Sequence, residues 1–490
     1  MSIKIAVITD LHYSSIPNPF IPERCGEFAD TLLLRAIHRF NRYIKPDIVL
    51  IGGDLINDST TQDAESLTKN LYDIIQLLKM PFIAIPGNHD LKNHDFYNIF
   101  PRPERFTDIG NTRFVAFDDP EMPGYNAIRQ ADDIETMRAA RADWNGPIVA
   151  LQHVPLVPPD ACRYNYENAP ELLKVMADCH YTASISGHLH GGLPTLEHHG
   201  VALITAQATC EAPFPYQIIE IADDGIITNK TETLAVDSTL NLTDSHVHTS
   251  LAYCNENMSI PKINRLAELF GLKQTVITEH SAHLYFDRPS YSAKDFYNKG
   301  VEAQTVPSRI PDYFSMYQEF AGANNIFGME IDFDRHGRPV IEEQHWSKLK
   351  FRNGAIHYMA SISTDDASES EIDAEFLFMV ESALKSGIDA LAHPFRIFRR
   401  RNLPPPARLF QPTMELLKKH QVAAEINYHT NEPPLEFFQM CVNNGVKLTL
   451  GSDSHNLYEV GEFYPHLKLL NDIAPGIAPS KLLLEIKNED

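Results

Sequence analysis

A chain of 490 residues exceeds what one hydrophobic core ordinarily organises, so two or three domains are expected. Apolar content of 43% and charged content of 22% are those of a globular protein, and a net charge of −23 weighs against a general nucleic-acid or anionic-membrane binder. An anionic substrate is not excluded, because bound metal ions reverse the local potential inside a site.

The first strand is expected over residues 3–9, IKIAVIT, with no basic-then-apolar leader before it. No stretch reaches the roughly 18 uninterrupted apolar residues of a membrane helix. Cysteines 25, 162, 179, 210, 254 and 441 form no CxxC pair, which fits reduced thiols in a cytoplasmic protein. Further strand-like runs follow at 47–51, 82–85, 113–117, 148–151 and 183–186, with helical patterns around 28–44, 62–79 and 129–142. This alternation predicts an α/β sheet with crossover helices. From 195 to 236, short β runs with turn signals (His199-Gly200, Asp223-Asp224-Gly225) predict antiparallel strands closing a first domain over 1–236. Residues 237–242 read as a linker. A second domain over 243–490 has strand candidates at 243–247, 275–278, 326–331, 355–360, 389–392, 422–426 and 446–450, and helices at 260–270, 371–386, 411–419 and 434–444. Seven strands with polar motifs at their C-terminal ends predict a barrel-like α/β domain. The Tyr-, Phe- and Pro-rich segment 281–325 is expected to be a lid or substrate wall, and Pro404-Pro405-Pro406 a loop.

Each half carries a set of metal-ligand motifs. The first reads Asp10-Leu11-His12, Gly53-Asp54, Gly87-Asn88-His89-Asp90, His153 and Gly187-His188-Leu189-His190. The second reads Asp244-Ser245-His246-Val247-His248, Glu279-His280, Glu330, His357, His393-Pro394 and Asp453-Ser454-His455. Half of the 22 histidines fall in these motifs, and oxygen and nitrogen donors of this kind hold Zn, Mn or Fe for hydrolysis. Side chains two apart on a strand share a face, so Asp10 with His12, His188 with His190, and His246 with His248 are each expected to converge. Asp54 has two oxygens with which to bridge two ions, and Asn88 offers a neutral amide oxygen.

In order and spacing the first set resembles the calcineurin-like metallophosphoesterases, which implies a four-layer α/β sandwich with a dinuclear centre. The resemblance assigns Asp10, His12 and His190 to one metal, Asn88, His153 and His188 to the other, and Asp54 to the bridge. It implies in-line attack on phosphorus by metal-activated water, with His89 as the catalytic residue that stabilises or protonates the leaving oxygen. The stretches GGDLIND, PGNHDL and SGHLHGG are similar to the branch that includes cyclic-nucleotide phosphodiesterases. Many members have an Asp three residues after the bridging one; here Asn57 stands there, followed by Asp58. Either His89 is then a weaker acid catalyst, or Asp58 takes over its orientation.

The second set (DSHVHT, TEH, GMEID, AHPF, GSDSH) resembles the PHP (polymerase and histidinol phosphatase) family, closest to its histidinol-phosphatase-like branch, which implies a distorted (β/α)7 barrel with two or three metals. By resemblance His246, His248, Glu330 and Asp453 hold one metal, Glu330, His357 and His393 a second, and His280 and His455 contribute to a third, with Asp244 orienting the first histidines from behind. Cys254 stands where the family often has a histidine. It is either a thiolate ligand of the third metal or an apolar cysteine beside a two-metal site. Of Arg396, Arg399, Arg400 and Arg401, Arg396 is expected to bind substrate phosphate and the others to form a solvated helix face. Glu425 and Asn427 either line the pocket or pack a strand end.

These features predict a bifunctional metal-dependent phosphoesterase. Its expected substrates are small phosphorylated metabolites, with phosphodiesterase chemistry in the first site, cyclic nucleotides among its candidates, and phosphomonoesterase chemistry in the second. No stable nucleic-acid or membrane partner is expected. Two other readings stay open: one catalytic and one regulatory domain, or a nuclease, which would need a basic groove with interleaved aromatics.

Overall fold

Near-continuous apolar runs form strands buried on both faces. In the computed structural model, which describes residues 2–222, 224–322, 324–364 and 366–487, three such runs pair in parallel: β1 (Ile3–Ile8), β2 (Ile48–Ile51) and β3 (Phe82–Ala84). The chain continues through β4 (Thr107–Ile109), β5 (Thr112–Ala116), the small hairpin β6 (Glu121–Met122) and β7 (Asn126–Ala127), then β8 (Ile148–Leu151) and β9 (Ala183–Ser186). The expected antiparallel strands follow as β10 (Leu196–His198), β11 (Val201–Thr205), β12 (Pro215–Ile221) and β13 (Ile227–Thr233). Asp223, part of the expected turn signal, lies outside the described residues.

Among the described residues these strands form two main sheets, β13-β12-β1-β2-β3 and β10-β11-β9-β8-β5-β4. Val7, Leu50 and Ile219 of one pack against Phe114, Val149 and Ile185 of the other in a single core. The outer face of the second sheet is covered through Ile134, Met137, Leu172 and Met176 of the helices Ala131–Ala142 and Ala169–Asp178. Helices Ala29–Arg39 and Ala64–Ile75 bury Leu32, Leu33, Ala36 and Leu71. The result is the four-layer sandwich, within the unit Met1–Ala235.

The second unit, Val236–Asp490, contains β14 (Thr243–Val247), β15 (Gln274–Ile277), β16 (Asn325–Ile331), β17 (Phe351–Gly354), β18 (Ala390–Leu391), β19 (Ala423–Asn427) and β20 (Leu448–Gly451). Each pairs in parallel with the next, and the first and last are joined by the bridge Val247–Ser454, so the seven-stranded sheet nearly closes into a barrel. Residues 237–242, expected as a linker, belong to this unit: Asp237 accepts the N–H of Thr239 in a 3-10 turn, and Leu242 is buried.

Two expectations are corrected. The strand expected at 355–360 is β17, four residues earlier. Arg352 and Asn353 interrupt its apolar pattern because Asn353 points inward, its amide donating to Glu425 at 2.9 Å. The segment 281–325 is mostly short helices, and Leu284, Tyr285 and Tyr313 are core. Among the described residues, His283, Arg288, Tyr291 and Ser292 line a cavity, so part of the segment is a wall as expected. No helix among the described residues is long and apolar enough to cross a membrane.

Candidate metal centres

β1 ends at Ile8, and the chain then passes through two left-handed residues, Asp10 (φ 54°) and His12 (φ 48°). Asp54 (φ 53°) and His188 (φ 66°), beyond β2 and β9, take the same conformation. Such backbone is uncommon for residues with a Cβ and persists where the surroundings over-determine it. Convergence of Asp10 with His12 thus comes from turns past the strand end, which corrects the expectation of simple strand alternation. Gly187 permits the close approach, since a Cβ there would lie 2.1 Å from Thr9 Oγ1.

His12 Nε2 lies 3.1 Å from His190 Nε2, 3.9 Å from Asp10 Oδ1 and 3.7 Å from Asp54 Oδ2. On the other side, His153 Nε2 is 3.3 Å from the same Asp54 oxygen and 3.1 Å from His188 Nδ1. Asp54 therefore stands between two groups of nitrogen donors. Asp10 Oδ1, Asn88 Oδ1 and His188 Nε2 are buried and have no hydrogen-bond partner. Leaving such atoms unpaired costs about 1–3 kcal/mol each. Oxygen and imidazole donors in this arrangement fit divalent ions. Burial opposes ionisation of Asp54, but the imidazoles of His153, His12 and His89 outweigh it and hold its carboxyl well below the usual range. Burial likewise disfavours a charged His153, yet Asp54 raises it to about 10. His188, desolvated beside His153, falls to about 3 and keeps a free lone pair.

The donors are braced from behind: His153 Nδ1 bonds the Gly52 carbonyl at 2.8 Å, and His190 Nδ1 faces Glu211 Oε1 at 2.5 Å. His89 is held differently. Its backbone N–H donates to Asp54 Oδ1 at 2.9 Å, and its Nδ1 donates to the Asn57 carbonyl at 2.6 Å, which leaves Nε2 as the free ring nitrogen. Asp58 does not take over: its carboxylate caps Thr60 at 2.8 and 2.7 Å. The orienting acceptor is the backbone of Asn57, while its side chain lies 3.5 Å from Arg24. A cavity of about 470 Å³ opens beside Asn88 and His153, walled by Asp118, Asp119, Tyr125 and Tyr166.

In the second unit, a register irregularity in β14 between Asp244 and Val247 lets His246 and His248 bring their Nε2 atoms within 3.2 Å. Asp453 Oδ1 lies 3.0 Å from His248 Nε2 and 3.6 Å from His246 Nε2. Glu330 spans the centre. Its Oε2 is 3.5 Å from His246 Nε2 and 2.5 Å from His280 Nδ1, and its Oε1 is 2.8 Å from His393 Nε2 and 3.1 Å from His357 Nε2. His455 joins them, with donor atoms of His248, His280 and His455 within 4.8 Å of one another. His393 (φ 30°) and Asp453 (φ 53°) again have left-handed backbone. Glu330 is fully buried with histidine nitrogens around both of its carboxylate oxygens, and this donor set, too, fits metal ions. Burial would raise the Glu330 carboxyl, but His357, His280 and His246 hold it well below its usual range.

Asp244 does not orient these histidines. It accepts N–H bonds from Ser452, Gly461 and His246 and so ties the backbone of β14 to the segments that follow β20. The imidazoles are aimed by Glu425 on His246 (2.8 Å), Glu279 on His248 (3.2 Å) and Asp332 on His357 (2.7 Å), and carboxylate backing of this sort fixes tautomer and raises basicity. Glu425 and Asn427 are therefore part of the site; Asn427 donates to both Glu425 and Asp453.

Arg396 donates to Asp453, and its Nη2 lies 2.7 Å from His393 Nε2 and 3.1 Å from His357 Nε2, at the edge of the donor set. Cys254 Sγ is 3.8 Å from His280 Nε2, and it groups with His280 and His283 as possible donors to one ion. A tetrahedral zinc with bonds of about 2.3 Å to sulfur and 2.0 Å to nitrogen holds those atoms about 3.5 Å apart. Burial and the nearby carboxylates push the Cys254 thiol up to about 12, so an ion binding there would displace a proton.

Sequence reasoning missed His283, Asp332, Asn353 and Glu211. The first two carried a signal: His283 follows His280 at i+3 on the helix Ser281–Tyr285, and Asp332 follows Glu330 by two. Asn353 and Glu211 come close only through the fold.

Residues 3–192 match the family model described as calcineurin-like phosphoesterase, and residues 244–429 match that of the PHP domain. The chain is 27% identical over 233 residues to an uncharacterized protein of Schizosaccharomyces pombe, an alignment covering 39% of this chain and 45% of that one. It is 28% identical over 208 residues to a Synechococcus protein named "Probable cyclic nucleotide phosphodiesterase", covering 39% of this chain and 74% of that one. It is 24% identical over 257 residues to a Deinococcus radiodurans protein named "Probable histidinol-phosphatase", covering 47% and 94%.

Proposed function

Because the chain joins a calcineurin-like phosphoesterase domain to a PHP domain and is a metal-dependent phosphoric ester hydrolase, we propose that it is bifunctional, with phosphodiesterase chemistry in the first centre and phosphomonoesterase chemistry in the second. The observation that carries this is the presence of two separate donor sets. Each has a carboxylate, Asp54 or Glu330, lying between nitrogen groups, and the first also leaves Asp10 Oδ1, Asn88 Oδ1 and His188 Nε2 buried without partners. Small phosphorylated metabolites are the substrate class. A cyclic nucleotide suits the first site, whose cavity has Tyr125 and Tyr166 in its walls, and a relative's name points the same way.

In the first centre Asp10, His12 and His190 would hold one ion, Asn88, His153 and His188 another, with Asp54 shared. In the second, His246, His248, Glu330 and Asp453 would hold one, Glu330, His357 and His393 another, and His280, His455 and Cys254 a third. When bound, such ions polarise phosphoryl oxygens and supply a water acidic enough to act as nucleophile at neutral pH. The protein's own share is positioning and proton handling. His89, fixed by the Asn57 carbonyl, has Nε2 free to serve the leaving oxygen. Arg396 brings a fixed positive charge to the edge of the second donor set.

The test is metal analysis of the purified chain joined to a screen of phosphodiesters and phosphomonoesters, including cyclic nucleotides, with wild type, Asp54→Ala and Glu330→Ala. Loss of one activity class per variant supports the reading. Loss of both classes in either folded variant overturns it.

A further inference from the structure

The second centre opens into a cavity of about 1050 Å³, at the upper end of ordinary small-molecule sites and far larger than a phosphoryl group needs. Four arginines line it: Arg288, Arg396, Arg399 and Arg400. Arg396 is committed to the donor set through Asp453. Among the described residues the other three form no ion pair. Arg288 donates only to the Tyr253 carbonyl at 2.9 Å, and Arg399 only to the Thr430 carbonyl. In a chain of net charge −23 such arginines would readily find carboxylates. The two carboxylates on this wall are already engaged. Glu256 accepts the Asn456 amide, and Glu459 accepts the N–H groups of His455 and Asn456 and faces His429 at 3.0 Å.

We propose that this cavity selects monoesters that carry a second anionic group, which Arg399, Arg400 and Arg288 bind while the phosphoryl group lies at the donor set beside Arg396. The proposal rests on the phosphomonoesterase reading of this half and narrows it. The spacing follows from the local fold. Arg396–Arg401 is a 3-10 helix, so Arg399 stands one turn beyond Arg396, about 6 Å along the axis at about 2 Å per residue. Guanidinium groups bind phosphate and carboxylate bidentately, so either satisfies this wall. By the same logic a cationic substituent meets repulsion there. Arg399 and Arg400 are exposed, as a solvated face requires, and the proposal adds a ligand to that face because both border the cavity.

The test is a charge series at constant length: 3-aminopropyl phosphate, propyl phosphate and propane-1,3-diyl bisphosphate, assayed on the metal-loaded full chain carrying Asp54→Ala to silence the first site. The bisphosphate is expected to exceed propyl phosphate in kcat/KM by roughly 10-fold, chiefly through KM, and the amine to rank last. Arg400 is exposed and makes no hydrogen bond among the described residues, so Arg400→Ala is the clean variant; it should shrink the bisphosphate preference, and Arg400→Lys should keep most of it. Equal kcat/KM across the series, or a preference that Arg400→Ala and Arg399→Ala both leave intact, overturns the proposal. If a metal-loaded chain hydrolyses none of the three, the monoesterase reading fails. Calorimetric affinities for the same compounds then judge the charge preference by the same criteria.

Discussion

Asp54 Oδ2 lies 3.3 Å from His153 Nε2 and Glu330 Oε1 lies 2.8 Å from His393 Nε2, so each centre is organised around one carboxylate that also reaches histidines from other segments. Removing either carboxylate should disable one centre only. Asp54→Ala is expected to abolish diester hydrolysis while sparing monoester hydrolysis, and Glu330→Ala to do the reverse, each with loss of bound metal measured by elemental analysis. A folded Glu330→Ala protein without diesterase activity would contradict independent catalysis.

His89 is aimed by the backbone carbonyl of Asn57 and not by a carboxylate. His89→Ala should keep near-normal metal content and lose roughly 10²–10⁴-fold in rate, the range for one positioned acid. The loss should shrink for p-nitrophenyl esters, whose leaving group needs no proton. Equal losses for good and poor leaving groups would rule out the acid role.

Cys254 reaches His280 at 3.8 Å in a grouping that also includes His283. Cys254→Ser should lower metal content of the full chain carrying Asp54→Ala by about one equivalent, and His283→Ala should disturb the same ion, whereas His246→Ala should disturb a different one. Full retention of metal in both Cys254→Ser and His283→Ala would leave a dinuclear centre, with His280 and His455 free to contact substrate.

Arg129 is completely buried, and Asp119, beside the first cavity, pairs with it through both oxygens at 3.1 and 2.7 Å; the Phe117 ring lies 3.6 Å from the guanidinium carbon. Tyr166 donates to the same carboxylate at 2.7 Å. Asp119→Ala strands a buried cation and should cost about 3–5 kcal/mol of stability. Chemical denaturation of the full chain should show a first-unit transition at lower denaturant. An unmoved transition would mean that Arg129 is rescued by water or another partner.

Motif order and the apolar runs were enough to read both domain families, the sandwich and the barrel, and to nominate the donors from Asp10 to His455. The reason is physical. Metal centres in α/β folds gather donors at strand ends, and each motif sits just after a run whose burial is written in consecutive apolar residues. The four-residue misplacement of β17 has the same origin reversed: Asn353 serves the site inside a strand, so the apolar signal breaks where function intrudes.

What aims the donors was decided by tertiary structure alone. That the Asn57 carbonyl and not Asp58 holds His89, that Glu425 and not Asp244 backs His246, and that Glu211 meets His190 are contacts between segments far apart in sequence or set by the direction of a turn. Sequence carries residue type and spacing. It does not carry which residues make the left-handed turns, as Asp10, Asp54 and Asp453 do, because Asp tolerates that conformation wherever it occurs and the packed strands around these three decide that they adopt it.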